Sequence, residues 1–240
     1  MIWIFFIALF LVTIAGGLIP VYLQLNKEWN NYLLAFSGAI LLGITFLHLL
    51  PETFSDLHFS AGIYILIGFF LQLFLQKFSH GLEHGHIHTH EHNHAIALSP
   101  ILLGLSIHAF MEGIPLGYNF TQINTIPSLF LGVAAHKAPE ALTLMSVVTT
   151  LPISKSKKIS TLLQFAFITP LAGILAIYFG KNYLFINQVL THFVPIVIGA
   201  FIHISTTIFF ESGTKHHDLD FKKVLAIVAG LGLSLLTMLT

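Results

Sequence analysis

The sequence has no cysteine and no arginine, and only 8% of its 240 residues are charged. Without cysteine there can be no disulfide, no thiolate metal site and no cysteine nucleophile. Ten lysines balance ten acids, so the formal net charge is zero and nothing favours nucleic acid as a partner. A soluble domain carries about 25% charged residues, so the shortage of charge excludes a soluble fold. No Walker-type phosphate loop is present, which argues against direct nucleotide drive, and no organic cofactor is implied.

What the chain has instead is apolar length. Hydrophobic residues make up 55% of it, and a helix needs about 20 of them in a row to cross a bilayer core. Eight segments qualify: 2–25, 32–52, 60–78, 97–118, 127–150, 159–180, 187–210 and 221–239. No charge precedes the first run, as a secretory signal would require, so it reads as a first transmembrane helix. The expected class is an all-α polytopic membrane protein, with residues 1–240 forming a single transmembrane domain set in the lipid bilayer.

Topology follows from the lysines. With eight spans, one side of the membrane receives Lys27, Lys77, Lys155, Lys157, Lys158, Lys215, Lys222 and Lys223, and the other receives only Lys181. Lysine accumulates on the cytoplasmic side. Both termini are therefore expected outside, and the loop 79–96 is expected in the cytoplasm. A faint internal echo links GAILLGITFLHLLPE at 38–52 with GAFIHISTTIFFE at 199–211. Spans 1–3 and 6–8 would run in opposite senses, as inverted transporter repeats do.

Three His-x-x-x-Glu pairs sit in this apolar setting: His48 with Glu52, His108 with Glu112, and His136 with Glu140. In an α-helix, residues i and i+4 share a face. Spans 4 and 5 are joined by a short loop, so they are expected to pack as antiparallel neighbours. Facing each other, the second and third pairs would offer two nitrogens and two oxygens, a set suited to Zn²⁺ or Fe²⁺. A single interhelical hydrogen bond in a membrane is worth about 0.6 kcal/mol. An acid at a helix centre costs roughly 2.5–3.5 kcal/mol, so two buried glutamates plus Lys137 call for a functional return. Pro115 and Pro139 would free backbone carbonyls near residues 111 and 135 and suggest helices broken at the site. His48 and Glu52 lie at the end of span 2, where they could serve as an entrance contact or as interfacial groups.

The chain holds 15 histidines. His80, His84, His86, His88, His90, His92 and His94 crowd into the loop between spans 3 and 4, at spacings that let a flexible chain wrap an ion. That loop is expected to buffer or sense metal on the cytoplasmic side.

HAFMEG at 108–113 and HKAPEA at 136–141 resemble the span-4 and span-5 motifs of the ZIP family of divalent-metal transporters. The eight spans, the outside termini and the histidine-rich loop are similar too. The resemblance implies a 3+2+3 arrangement of helices with an inverted repeat around spans 4 and 5. It implies passage of divalent metal toward the cytoplasm, zinc foremost, with iron, manganese or cadmium as further substrates. On its motifs His108, Glu112, His136 and Glu140 fall on the metal ligands, and His48 falls near a position that lines the pathway.

Many members of that family carry Asn after the span-4 histidine and an acid after the span-5 histidine, where they help hold a second metal. Here those residues are Ala109 and Lys137, and span 6 lacks any acid, with Gln164 and Thr169 among its polar residues. Lys137 is therefore expected to stand in for the second cation and leave a single His₂Glu₂ site. The plasma membrane or an inner cell membrane is the expected location, with a homodimer as the oligomer to consider. The competing class is an intramembrane metal-dependent hydrolase. It lacks support from a His-Glu-x-x-His motif, and a filled ligand set leaves no open catalytic position.

Overall fold

The computed structural model describes residues 2–23, 27–79, 81–82, 98–118, 126–211 and 220–238. Among them there is no strand. The helices are α1 (Ile2–Tyr22), α2 (Lys27–Ile44), α3 (Leu50–Leu57), α4 (Phe59–Ser79), α5 (Leu98–Tyr118), α6 (Ile126–Thr150), α7 (Lys155–Asn182), α8 (Leu184–Glu211) and α9 (Phe221–Leu236). Between α2 and α3, residues Thr45–Leu49 form a π-turn, with the Leu50 N–H bonded back to Thr45 O. The helical path is otherwise unbroken from Trp29 to Leu57. Counting α2, the π-turn and α3 as one rod, the described residues form eight.

Four pairs of rods pack most extensively: α1 with α6, α2 with α9, α4 with α8, and α5 with α7. Side-chain contacts give their sense. Tyr32 near the start of α2 donates to Asp220 Oδ2 just before α9 (2.6 Å), and His48 meets Thr237 Oγ1 just after α9 (2.9 Å). Like ends meet, so the two rods are parallel. The ring pairs Tyr64–His192 and Phe69–His203 show the same for α4 and α8. In an alternating bundle, parallel neighbours must be an even number of crossings apart, and all four pairs satisfy this. Exchanging rods 1–3 with 6–8, and 4 with 5, maps the α1–α6 contact onto α7–α5 and the α2–α9 contact onto α8–α4. That is the pattern an inverted repeat produces.

Close packing in the membrane relies on small residues. A Cβ on Gly68 would fall on the carbonyl oxygen of Ile196, and one on Gly199 would fall on that of Ile65, so α4 and α8 interlock through a reciprocal glycine pair. The outward faces are apolar: Phe59, Leu184, Phe185 and Phe221 are all more than 70% exposed. The interior holds the polar exceptions, and Lys137 stands with Phe201 among the largest side chains that are fully buried.

Six of the eight rods are long and apolar enough to cross a membrane by length and composition, which establishes an all-α polytopic membrane protein. The other two fall short for different reasons. In α6 the apolar run is interrupted by His136, Lys137, Pro139 and Glu140. The last helix, α9, has only 16 residues. Asp220 caps α9 by accepting from Lys222 N–H, and Ser154 caps α7 by accepting from Lys157 N–H.

Candidate metal centre

The two central rods, α5 and α6, cross so that His108 lies near Glu140 while Glu112 lies near Lys137, an antiparallel arrangement. One turn separates His108 from Glu112, and one turn separates His136 from Glu140, so each helix turns both groups of its pair to the other. One ligand atom from each of these four residues lies within 4.8 Å of all the others. All four side chains are at most 1% exposed.

The sequence expectation of breaks at the prolines is not met. Helix α5 continues through Pro115 to Tyr118, and α6 continues through Pro139 to Thr150. Packing by neighbouring helices holds each rod straight enough to remain helical where an isolated one would break. Instead, Gly113 brings the chain close. A Cβ there would strike Thr169 O of α7, and Thr169 Oγ1 in turn donates to Ala109 O (3.0 Å). The third helix is therefore clamped to the backbone between the two ligands of α5.

The oxygens of the carboxylates are divided. His108 Nε2 lies 3.0 Å from Glu112 Oε1 and 3.8 Å from Glu140 Oε1. Lys137 Nζ lies 2.5 Å from Glu112 Oε2 and 2.5 Å from Glu140 Oε2. Its remaining side faces the Phe165 ring of α7, 4.9 Å from the centroid. On the far side of His108, Nδ1–H donates to Gln72 Oε1 of α4 (3.2 Å). Neither ring nitrogen of His136 has a hydrogen-bond partner among the described residues. A fully buried imidazole without a partner is costly, and this one sits where a cation would meet three further donors.

His48 and Glu52 are not brought into this cluster. His48 lies on the π-turn and pairs with Thr237. Glu52 lines a separate small cavity of about 20 Å³, with Thr53, Asp56, Tyr118 and Thr191 among its other walls. The i, i+4 face argument assumed an α-helix throughout, whereas His48 lies on the π-turn and Glu52 on α3 beyond it. His80, His84, His86, His88, His90, His92 and His94 lie outside the described residues. Gln72 and Phe165 were missed in the sequence. Gln72 was the more findable of the two, as an amide inside an apolar span that must find a partner.

A sequence model of the family described as "ZIP Zinc transporter" matches residues 1–100 and 83–238. This chain belongs to the ZIP family. No curated protein sequence matches it. As a ZIP protein it is a membrane transporter of metal ions and not an enzyme, which removes the hydrolase alternative. Its buried His/Glu cluster fits a metal site.

Proposed function

We propose that this ZIP protein carries one divalent transition-metal ion at a time, zinc first among them, with iron, manganese or cadmium as further substrates. The ion is held by His108, Glu112, His136 and Glu140 on its way to the cytoplasm. The observation that carries this reading is His136: a buried imidazole with both nitrogens unpartnered, beside a histidine and two carboxylates. Two imidazoles and two carboxylates are the borderline donor set that suits Zn²⁺.

The ion sheds water as these groups replace its hydration shell. The carboxylates must be ionised and the imidazoles neutral, so binding weakens in acid. Lys137 supplies the positive charge that a second ion would otherwise provide, and its contacts with both glutamates support a single-ion site. The lysine bias supports outside termini, and membership of the ZIP family supports inward transport, across the plasma membrane or an inner cell membrane, and the loop 79–96 would buffer metal at the exit.

Uptake into proteoliposomes across Zn²⁺, Fe²⁺, Mn²⁺ and Cd²⁺ tests the activity. His136→Ala and Glu140→Ala are expected to abolish it, and normal uptake by either variant refutes the site. Metal titration of the purified protein should give one tight intramembrane ion. Two such ions would refute the single-ion reading. Deleting 80–94 is expected to change the metal dependence of uptake without abolishing it.

A further inference from the structure

We infer that Lys137 fixes the coordination number of the transported ion at four and thereby selects metals that accept a tetrahedral site. This rests on the ligand assignment above and deepens it. Each glutamate has two oxygens, and a carboxylate can bind a metal through one or both. Here both Oε2 atoms are held by the same ammonium at 2.5 Å, while both Oε1 atoms face His108 Nε2.

The ammonium has three N–H donors. It donates a hydrogen bond to Glu140 Oε2 and forms an ion pair with Glu112 Oε2, and its remaining side is covered by Phe165. Lys137 is 1% exposed, so releasing either oxygen to a metal would leave part of a buried charge unpaired, and breaking a buried pair is strongly unfavourable. An arriving ion therefore receives one oxygen from Glu112, one from Glu140 and one nitrogen from each histidine.

Four single-atom donors of N₂O₂ type suit Zn²⁺, which is content with tetrahedral geometry. Mn²⁺, Mg²⁺ and Ca²⁺ favour six or more oxygen ligands. With the ligating side chains at most 1% exposed, bulk solvent does not supply the two that are missing. The lysine also lowers the negative charge of the site from two to one. That weakens attraction for hard cations held mainly by charge, and leaves ions that bond strongly to imidazole nitrogen at an advantage.

Cobalt substitution reads the geometry directly. The full-length protein in detergent, loaded with Co²⁺, is expected to show the intense visible d–d bands of a four-coordinate ion. The weak bands of a six-coordinate ion in the unmodified protein would overturn the inference without need of any variant. In Lys137→Met, either a six-coordinate spectrum or a second bound ion on the freed oxygens is expected, with the preference for Zn²⁺ over Mn²⁺ falling by roughly 10–100-fold, the range of a lost outer-shell partner. A single four-coordinate ion with unchanged Zn²⁺:Mn²⁺ preference in that variant would also overturn it. His136→Ala and Glu140→Ala separate the two readings. If they keep the wild-type cobalt spectrum, the ligand assignment itself is wrong. If they lose it while Lys137→Met does not change, only the role of the lysine fails.

Discussion

Gln72 Oε1 accepts a hydrogen bond from His108 Nδ1 across 3.2 Å, joining α4 to α5. With the proton held on Nδ1, the Nε2 lone pair is directed toward Glu112 and Glu140, the side on which an ion would bind. Gln72→Leu should weaken Zn²⁺ binding by about 10–100-fold, the usual cost of losing a partner behind a ligating histidine. Gln72→Glu, which keeps an acceptor, should recover much of it. Calorimetric titration of the two variants decides the matter. Equal affinities for Leu and Glu would reduce Gln72 to packing.

His48 gives the opposite expectation. Its Nε2 is engaged with Thr237 Oγ1 at 2.9 Å and stands apart from the four-residue cluster. His48→Ala should therefore leave the stoichiometry and affinity of the intramembrane ion unchanged in the same titration. Loss of the tight ion would bring His48 back as a ligand.

The interlock of α4 and α8 leaves no space for a methyl group at Gly199, because Ile65 O fills it. Backbone cannot yield as a flexible side chain does, and overpacking of this kind costs about 1–3 kcal/mol. Gly199→Ala should lower the unfolding midpoint in detergent. Gly62, whose added Cβ meets nothing within 4 Å, serves as the matched control in Gly62→Ala and should not.

Asp220 lies at the mouth of α9, outside the membrane-spanning segment. A hydrogen bond from Tyr32 holds its carboxyl below the usual carboxylate range, helped by the Lys222 N–H and charge. A lowered value in the folded protein means that the stabilisation is present above the ordinary carboxylate range and is lost as the pH falls through the folded-state value. Asp220→Asn keeps a good capping residue but removes the charge. The gap in thermal stability between the two proteins should be open at neutral pH and close in acid. A pH-independent gap would assign the effect to capping geometry alone.

The four-residue cluster was legible because helical spacing alone puts His108 with Glu112 and His136 with Glu140, and an apolar background makes such residues conspicuous. Lys137 was legible for the same reason. Gln72 was not, since its partner lies 36 residues away on another rod and no local spacing encodes that contact. His48 and Glu52 matched the same pattern, yet the π-turn at Thr45–Leu49 removed the α-helical premise, and five apolar-to-polar residues do not announce such a turn. Hydropathy by itself understates α6, because the groups that build the site are the ones that lower its apolar content.

That deficit bears on how the protein is made. Helix α6 must leave the translocon carrying both Lys137 and Glu140, and an isolated charge at mid-bilayer costs roughly 2.5–3.5 kcal/mol on insertion scales. The two are three residues apart on one helix and already paired at 2.5 Å. The segment therefore carries its own counter-ion into the lipid, and its insertion does not depend on docking against Glu112 of α5, which is synthesised before it.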